Sequence, residues 1–227
     1  MSTQPKKKPE RPSSTEVAIN MGSGVTGAEV AALLPDHYRP FAAIIAPFLT
    51  GGLNLLRAWH AERVVDTASS TLGTNAEGVL RAIGDDPELL VLSQEVFEAA
   101  SRTANQEKVD VLARIWAHAL GDDAKPDEDT MMLRAVADLE TPHVRLLVWL
   151  AADDKVHSVE EMTEAVRHLA TVIRGVAGTL ERVGFTSRGM VTEKEGYYLT
   201  ALGFQITDWG RLAITYLDKW ATQSSED

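Results

Sequence analysis

The sequence predicts a mainly helical protein that ends in a small β-hairpin and a last helix. Apolar residues recur at helical spacing along most of the chain, capping residues precede them, and strand-like alternation occurs only between residues 188 and 200. The 227 residues are enough to bury a substantial core. We expect a disordered basic tail over 1–24, a helical domain over 25–140 and a C-terminal unit over 141–227.

Composition excludes several classes of protein. Apolar residues make up 44% of the chain and charged residues 24%, which is typical of folded domains. Because there is no cysteine, disulfide scaffolds, cysteine nucleophiles and thiolate zinc sites are excluded. The formal net charge of −11 disfavours a basic nucleic-acid binder unless positive charge is concentrated on one face.

The N-terminal tail over 1–24 contains Lys6, Lys7 and Lys8, several prolines and serines, and almost nothing large and apolar. Such a segment gains too little from burial to offset its ordering entropy, so it is expected to be a solvated tail. The basic run could contact phosphates. No apolar stretch follows the lysines, so the tail does not resemble a secretory signal, and we expect a cytoplasmic protein.

The longest uncharged stretch of the chain is the segment 40–56. It reaches only the lower edge of the length of a membrane span, and Pro47 and the pair Gly51 and Gly52 interrupt it. We expect two helical pieces buried in the core or in a partner. A membrane-inserting hairpin is the alternative, and partition of the protein into liposomes would favour it.

From Leu53 onward, cap chemistry and apolar spacing predict the same helices. The expected starts are Asp86 with Pro87, Asn105, Pro126, Thr141 with Pro142, and Ser158 with Glu161 as a capping box. A later short helix would bury Ile173, Val176, Ala177, Leu180 and Val183, and would end at Gly184. The hairpin strands are expected at 188–192 and 197–200, followed by a helix over 207–221.

The order of three helices, a hairpin and a helix over 143–221 resembles a winged-helix domain. The resemblance is carried by LERVGF at 180–185 and by YYLTALG at 197–203. It implies a DNA-binding regulator in which the second helix of a helix-turn-helix and the wing face the duplex. The residues that it implies are Thr171, Arg174, Gly178, Thr179 and Arg182 on the helix, and Arg188 and Lys194 on the wing.

Charge leaves an alternative open for this unit. Residues 141–227 contain nine basic and twelve acidic side chains, a net charge of −3, whereas DNA affinity depends largely on cations that neutralise phosphates. A fold does not fix a function, so the unit could instead serve protein interaction or assembly. The first hypothesis is therefore a non-enzymatic DNA-binding transcription regulator, and the alternative is a protein-interaction module.

The middle of the chain resembles the abortive-infection alpha group of bacterial helical proteins. The resemblance is carried by LNLLRAWHAERV at 53–64, EKVDVLARIWAHALGDD at 107–123 and LETPHVRLLVWL at 139–150. It implies a bacterial or phage-related setting with a role in phage defence. It supplies no catalytic residue.

Candidate enzymatic and metal motifs have simpler interpretations, so we expect no enzyme, no cofactor and no metal. Residues 22–27 spell G-x-G-x-x-G, but no convincing strand precedes them and no second βαβ unit follows. Glu160, Glu164 and His168 recur at helical spacing, but polar residues at this spacing are ordinary on a solvent-exposed helix face and do not require a metal. The acidic stretch 122–129 lacks the glycine and the final glutamate of an EF-hand loop.

The last helix carries an apolar stripe longer than a small three-helix core usually needs. Tryptophan and tyrosine are frequent interface anchors, so the stripe predicts a homodimer. The predicted interface residues are Trp209, Leu212, Tyr216, Leu217 and Trp220. The competing arrangement packs this helix against the helical domain of its own chain.

Overall fold

The computed structural model describes residues 55–84, 86–121, 126–191 and 201–224. Over these residues the chain is mainly helical with one two-stranded antiparallel sheet near the C-terminus, which confirms the predicted class at this level. The tail over 1–24 and the segment 40–54 lie outside the described residues.

Nine α-helices, one 3-10 turn and two strands make up the described part of the chain. The helices are α1 (Leu55–Leu72), α2 (Ala76–Ile83), α3 (Pro87–Arg102), α4 (Gln106–Ala119), α5 (Pro126–Ala137), α6 (Thr141–Leu150), α7 (Val159–Ala165), α8 (Ile173–Arg182) and α9 (Asp208–Ser224). The 3-10 turn is Arg167–Leu169, and the strands are β1 (Thr186–Val191) and β2 (Ala201–Ile206).

Side-chain caps begin several helices where the sequence predicts them. The Asp86 carboxylate accepts the backbone N–H of Glu88 at 2.8 Å at the start of α3, and Asn105 caps α4 in the same way. Ser158 and Glu161 form the expected capping box before α7. These helix starts are therefore confirmed.

The N-cap of α6 lies one residue earlier than predicted. Thr141 is already helical, and Glu140 is the N-cap. The backbone N–H of Glu140 donates to Nδ1 of His143 at 2.9 Å. This bond holds the chain at Glu140 in the extended conformation that an N-cap requires, so Thr141 becomes the first residue of the helix.

Helix α4 lies at the centre of the helical part, packed against α1, α3, α5 and α9. Leu112, Ile115 and Trp116 have no exposed surface. The indole N–H of Trp116 donates to the Ser93 hydroxyl at 3.1 Å, and its ring meets Phe97 edge-on. The apolar stripe of α4 is therefore buried, and the indole N–H of Trp116 within it has a hydrogen-bond partner.

The hairpin pairs Thr186 with Ile206 and Val191 with Ala201. The predicted second strand, 197–200, lies outside the described residues, and the described strand begins at Ala201. Gly203 lies inside β2 and interrupts its alternation of apolar and polar residues, which weakens the strand pattern in the sequence. A Cβ there would lie 2.4 Å from the carbonyl oxygen of His157, so the close passage of this neighbouring segment requires glycine.

The two parts of the chain share one hydrophobic core. Helix α9 packs against α6 in the C-terminal unit and also against α4 in the helical part. The core of the described residues therefore continues across residue 140, and the domain boundary predicted there stays a prediction.

A buried histidine links the stability of this core to pH. His60 is 1% exposed, and its Nδ1 lies 2.8 Å from the Ala100 carbonyl oxygen. Burial lowers the pKa of His60 below its usual 6.5, although the hydrogen bond to Ala100 acts in the opposite direction. Because the pKa in the folded state is below that of the unfolded state, this contribution to stability is complete above about pH 6.5 and is lost as the pH falls.

We expect the free energy of unfolding to decrease between about pH 7.5 and about pH 5, and to decrease less in a His60→Gln variant. Urea denaturation at the two pH values measures this difference. The same substitution at the exposed His168 is the control for replacing a histidine by glutamine. An equal decrease in the His60 variant would show that this histidine is not the group responsible.

Candidate functional site

Helix α8 has one buried face and one exposed face, as the spacing of its apolar residues predicts. Ile173, Val176, Ala177 and Leu180 are buried. The candidate surface is the opposite face, which we call the α8 face. It comprises Thr171, Val172, Arg174, Gly175, Gly178, Thr179 and Arg182 of this helix and its entry, together with Arg188 and Met190 of β1.

Two of the arginines predicted to contact DNA are bound to carboxylates of their own chain. Arg182 Nη1 lies 2.9 Å from Asp138, which stands between α5 and α6. Arg188 Nε lies 2.9 Å from Glu181 on α8. Both arginine side chains are more than half exposed, so the pairs contribute little to stability, but each carboxylate offsets a positive charge.

Arg174 and Thr171 line a groove of about 580 Å³ between α7 and the start of α8. Glu160 and Glu164 of α7 also line it. The groove thus presents two carboxylates beside one guanidinium. A surface of this charge does not favour phosphate, because phosphate contacts need an excess of cations.

The α8 face also contains exposed apolar residues and glycines. Val172 is 50% exposed and Met190 is 64% exposed. A Cβ placed on Gly175 or Gly178 would meet nothing within 4 Å. The α8 face therefore combines two exposed apolar side chains with two glycine positions that have open space in front of them.

Lys194, the remaining predicted DNA contact, lies outside the described residues. Of the three residues that share helical spacing in the sequence, Glu160, Glu164 and His168, the histidine lies near Arg145, with 3.3 Å between His168 Nε2 and Arg145 Nη1. Within the described ranges, no three side chains of His, Asp or Glu are grouped so that they could hold a metal ion. The helices of those ranges also lack one that is long and apolar enough to cross a membrane.

Sequence reasoning missed a cluster that joins α4, α5 and α9. His118 Nδ1 lies 2.9 Å from the carboxylate of Asp129, which is 3% exposed, and the His118 ring meets Tyr216 edge-on. Burial, together with the charges of Asp129 and Glu128, raises the pKa of Tyr216. The three helices meet only in the fold, so no sequence spacing could have revealed this group. Through this cluster, α9 packs against the helical part of the chain.

The apolar stripe of α9 faces the interior of its own chain. Leu217 is 0% exposed and Trp220 is 1% exposed, while Trp209, Leu212 and Tyr216 are half-buried against the core. Their partners are α4 and α6, which is the competing arrangement stated above. Leu217 and Trp220 are thus not available to a second copy in this fold, and the homodimer itself stays a prediction.

Comparison of the chain with protein families, with curated proteins and with solved structures finds no match. The resemblances to winged-helix domains and to the abortive-infection alpha group therefore stay predictions.

Proposed function

We propose that the C-terminal unit is a winged-helix module that binds a protein partner through the α8 face, in a protein that is not an enzyme. The observation that carries this proposal is the pairing of Arg182 with Asp138 and of Arg188 with Glu181. These pairs cancel the positive charge that a duplex would need.

The arrangement of elements supports a winged helix. α8 packs against α6 and α7, and β1 follows α8 directly. The backbone of His157, between α6 and α7, exchanges two hydrogen bonds of 2.9 Å with Phe204 in β2. The hairpin is therefore anchored to the helices, and β1 holds Arg188 and Met190 at the edge of the α8 face.

The two glycines of the α8 face support a docking role. Glycine inside a helix costs about 1 kcal/mol relative to alanine, and the described structure gives neither Gly175 nor Gly178 a packing reason. Close approach of a partner backbone would supply one. The exposed Val172 and Met190 would then be buried at the edges of the contact.

The resemblance of the middle of the chain to the abortive-infection alpha group supplies the setting. A role in phage defence is compatible with a non-enzymatic protein that acts by assembly. In this proposal the helical part and the C-terminal unit act as one body, since α9 joins their cores.

DNA binding is the second candidate function. It is favoured by Arg167 and Arg174, which are exposed and make no ion pair with any other described residue. The carboxylates of Asp138 and Glu181 would then have to yield their arginines to phosphates. The two functions differ in how binding should depend on charge and salt.

Removing the two carboxylates tests this difference. We expect the wild type to show no salt-sensitive affinity for random duplex DNA at about 0.15 M salt, and the Asp138→Asn, Glu181→Gln variant to gain several-fold in affinity at low salt, because its α8 face is more positive by two charges. Fluorescence anisotropy across a salt series measures both.

Glu62→Gln with Glu77→Gln makes the same charge change on α1 and α2, outside the α8 face, and should not produce this gain. A wild type that already binds with a steep loss of affinity as salt rises would overturn the protein-binding proposal and establish the DNA regulator.

The glycines provide a test with opposite effects on stability and binding. Gly175→Ala with Gly178→Ala should raise the free energy of unfolding by about 1–2 kcal/mol in total, since the new methyl groups meet open space. The same variant should weaken several-fold the photo-cross-linking of a reactive residue at Thr171 to a protein in host cells.

Ser70→Ala on the exposed surface of α1 is the control for both measurements. Unchanged cross-linking in the glycine variant would show that the α8 face is not the docking surface. Cross-linking of Thr171 to DNA alone would favour the second candidate function.

A further inference from the structure

An open groove runs along the whole length of α3, between α3 and α5. Two adjoining cavities of about 690 Å³ and about 550 Å³ make it up. Glu88 and Asp127 line the first cavity near the starts of the two helices, and Arg102 and Asp138 line the second near their ends. The helices therefore run in the same direction, and the 16 residues of α3 give the groove a length of about 24 Å.

One ion pair crosses this α3/α5 groove. Arg134 of α5 makes two hydrogen bonds, of 2.9 Å and 2.6 Å, to the carboxylate of Glu95 on α3. Both residues line both cavities. The pair therefore divides the groove into two halves, and it sets the spacing between the two helices at that point.

The first half of the groove is exposed and apolar. Val91 of α3 is 51% exposed and Met131 of α5 is 61% exposed, and both line the same cavity. Leu92 lies behind them and is buried. Most large apolar side chains of the described residues are buried, so two exposed ones lining the same cavity form an unusual apolar patch. Such patches commonly mark interaction sites.

The charge of the groove is strongly negative. Six carboxylates and three basic side chains line the two cavities, a net charge of −3. Each basic side chain is already paired with a carboxylate of the lining, and Lys108 in addition donates to the Leu139 carbonyl oxygen. Glu88 and Asp127, beside the apolar pair, are exposed and have no ion-pair partner among the described residues.

We propose that the α3/α5 groove binds an amphipathic helix of a partner protein, with apolar residues against Val91 and Met131 and lysine or arginine toward Glu88 and Asp127. A helix as long as α3 fills the groove, and helix-in-groove binding uses apolar anchors at i, i+3 or i+4 and i+7. The negative charge disfavours nucleic acid and an anionic lipid surface as occupants. This surface is separate from the α8 face, so it stands independently of the function proposed above.

The test is a displayed library of amphipathic helices as long as α3, with a fixed leucine stripe and random residues elsewhere, selected against the full chain. We expect the selected peptides to be enriched in lysine and arginine. Glu88 and Asp127 also complement the dipoles of their own helices, so the substitutions are placed at the apolar positions. Val91→Ser with Met131→Ser should weaken binding at least about tenfold.

The control is Val148→Ser, which removes an exposed apolar side chain on α6, outside both the α3/α5 groove and the α8 face. Circular dichroism checks that both variants remain folded. Selected peptides without basic enrichment, or an equal loss of affinity in the two variants, would overturn the proposal.

A photo-reactive residue at Thr130, which lines the first cavity, identifies the occupant in the full chain. Cross-links to a selected basic peptide, with loss of the cross-link when unlabelled peptide is added, support the proposal. Cross-links to residues 1–54 of the same chain, or to a second copy, that the peptide does not displace would overturn it, because the groove would then be covered by the protein itself.

Discussion

Replacing Trp116 by alanine should lower the free energy of unfolding by about 3–5 kcal/mol, the range for a large aromatic side chain removed from a packed core. Trp116 is 0% exposed and lies on α4, where four other helices meet. The substitution also leaves the Ser93 hydroxyl without the indole N–H that it accepts. Urea denaturation monitored by circular dichroism measures the loss.

Trp59 provides the matched control for this measurement. It is 37% exposed, and Arg63 lies 5.5 Å from the centroid of its ring. Trp59→Ala should therefore cost only about 1 kcal/mol, through a cation–π contact and partial burial. Similar losses in the two variants would mean that α4 does not occupy the centre of the core.

Replacing Trp220 by alanine is expected to have an effect of similar size, about 3–5 kcal/mol, for the same reason. Its side chain is 1% exposed, on the face of α9 that packs against α4 and α6. The loss should appear in the folding equilibrium and should not depend on protein concentration, because the contacts lie within one chain.

Met190→Ala, at a 64% exposed position, is the control and should change stability by less than about 0.5 kcal/mol. Light scattering on the same samples decides between the two arrangements of α9. If the Trp220 variant is a folded monomer while the wild type is a dimer, then the stripe of α9 joins two copies, and the packing described here is wrong for the assembled protein.

The parts of the fold that the sequence predicts correctly are those fixed by near neighbours. Asp86 and Asn105 cap their helices through bonds to residues two or three positions away. Ser158 and Glu161 bond to each other across a single turn. Such signals are complete within one short window, so no knowledge of the rest of the fold is needed.

The parts that depend on distant contacts could not be predicted. The apolar stripe of α9 predicts that this face is buried. It does not predict what covers the face, because a second copy and α4 of the same chain could both do so. Arg182 lies on the exposed face of its helix, as the spacing implies, yet its partner Asp138 stands 44 positions away along the chain. The charge of the candidate site therefore emerged only from the structure, and with it the preference for a protein partner.

The return of α9 to α4 sets the order in which this protein can complete its fold. The end of α4 at Ala119 and the start of α9 at Asp208 are 89 positions apart, so the contact closes a long loop. Contacts of high sequence separation slow folding, and a chain made from its N-terminus exposes the side of α4 that α9 covers until α9 itself has been made. A chain that stops before α9 should therefore be bound by chaperones and degraded by proteases. The presence of α9 thus determines how well the chain resists degradation.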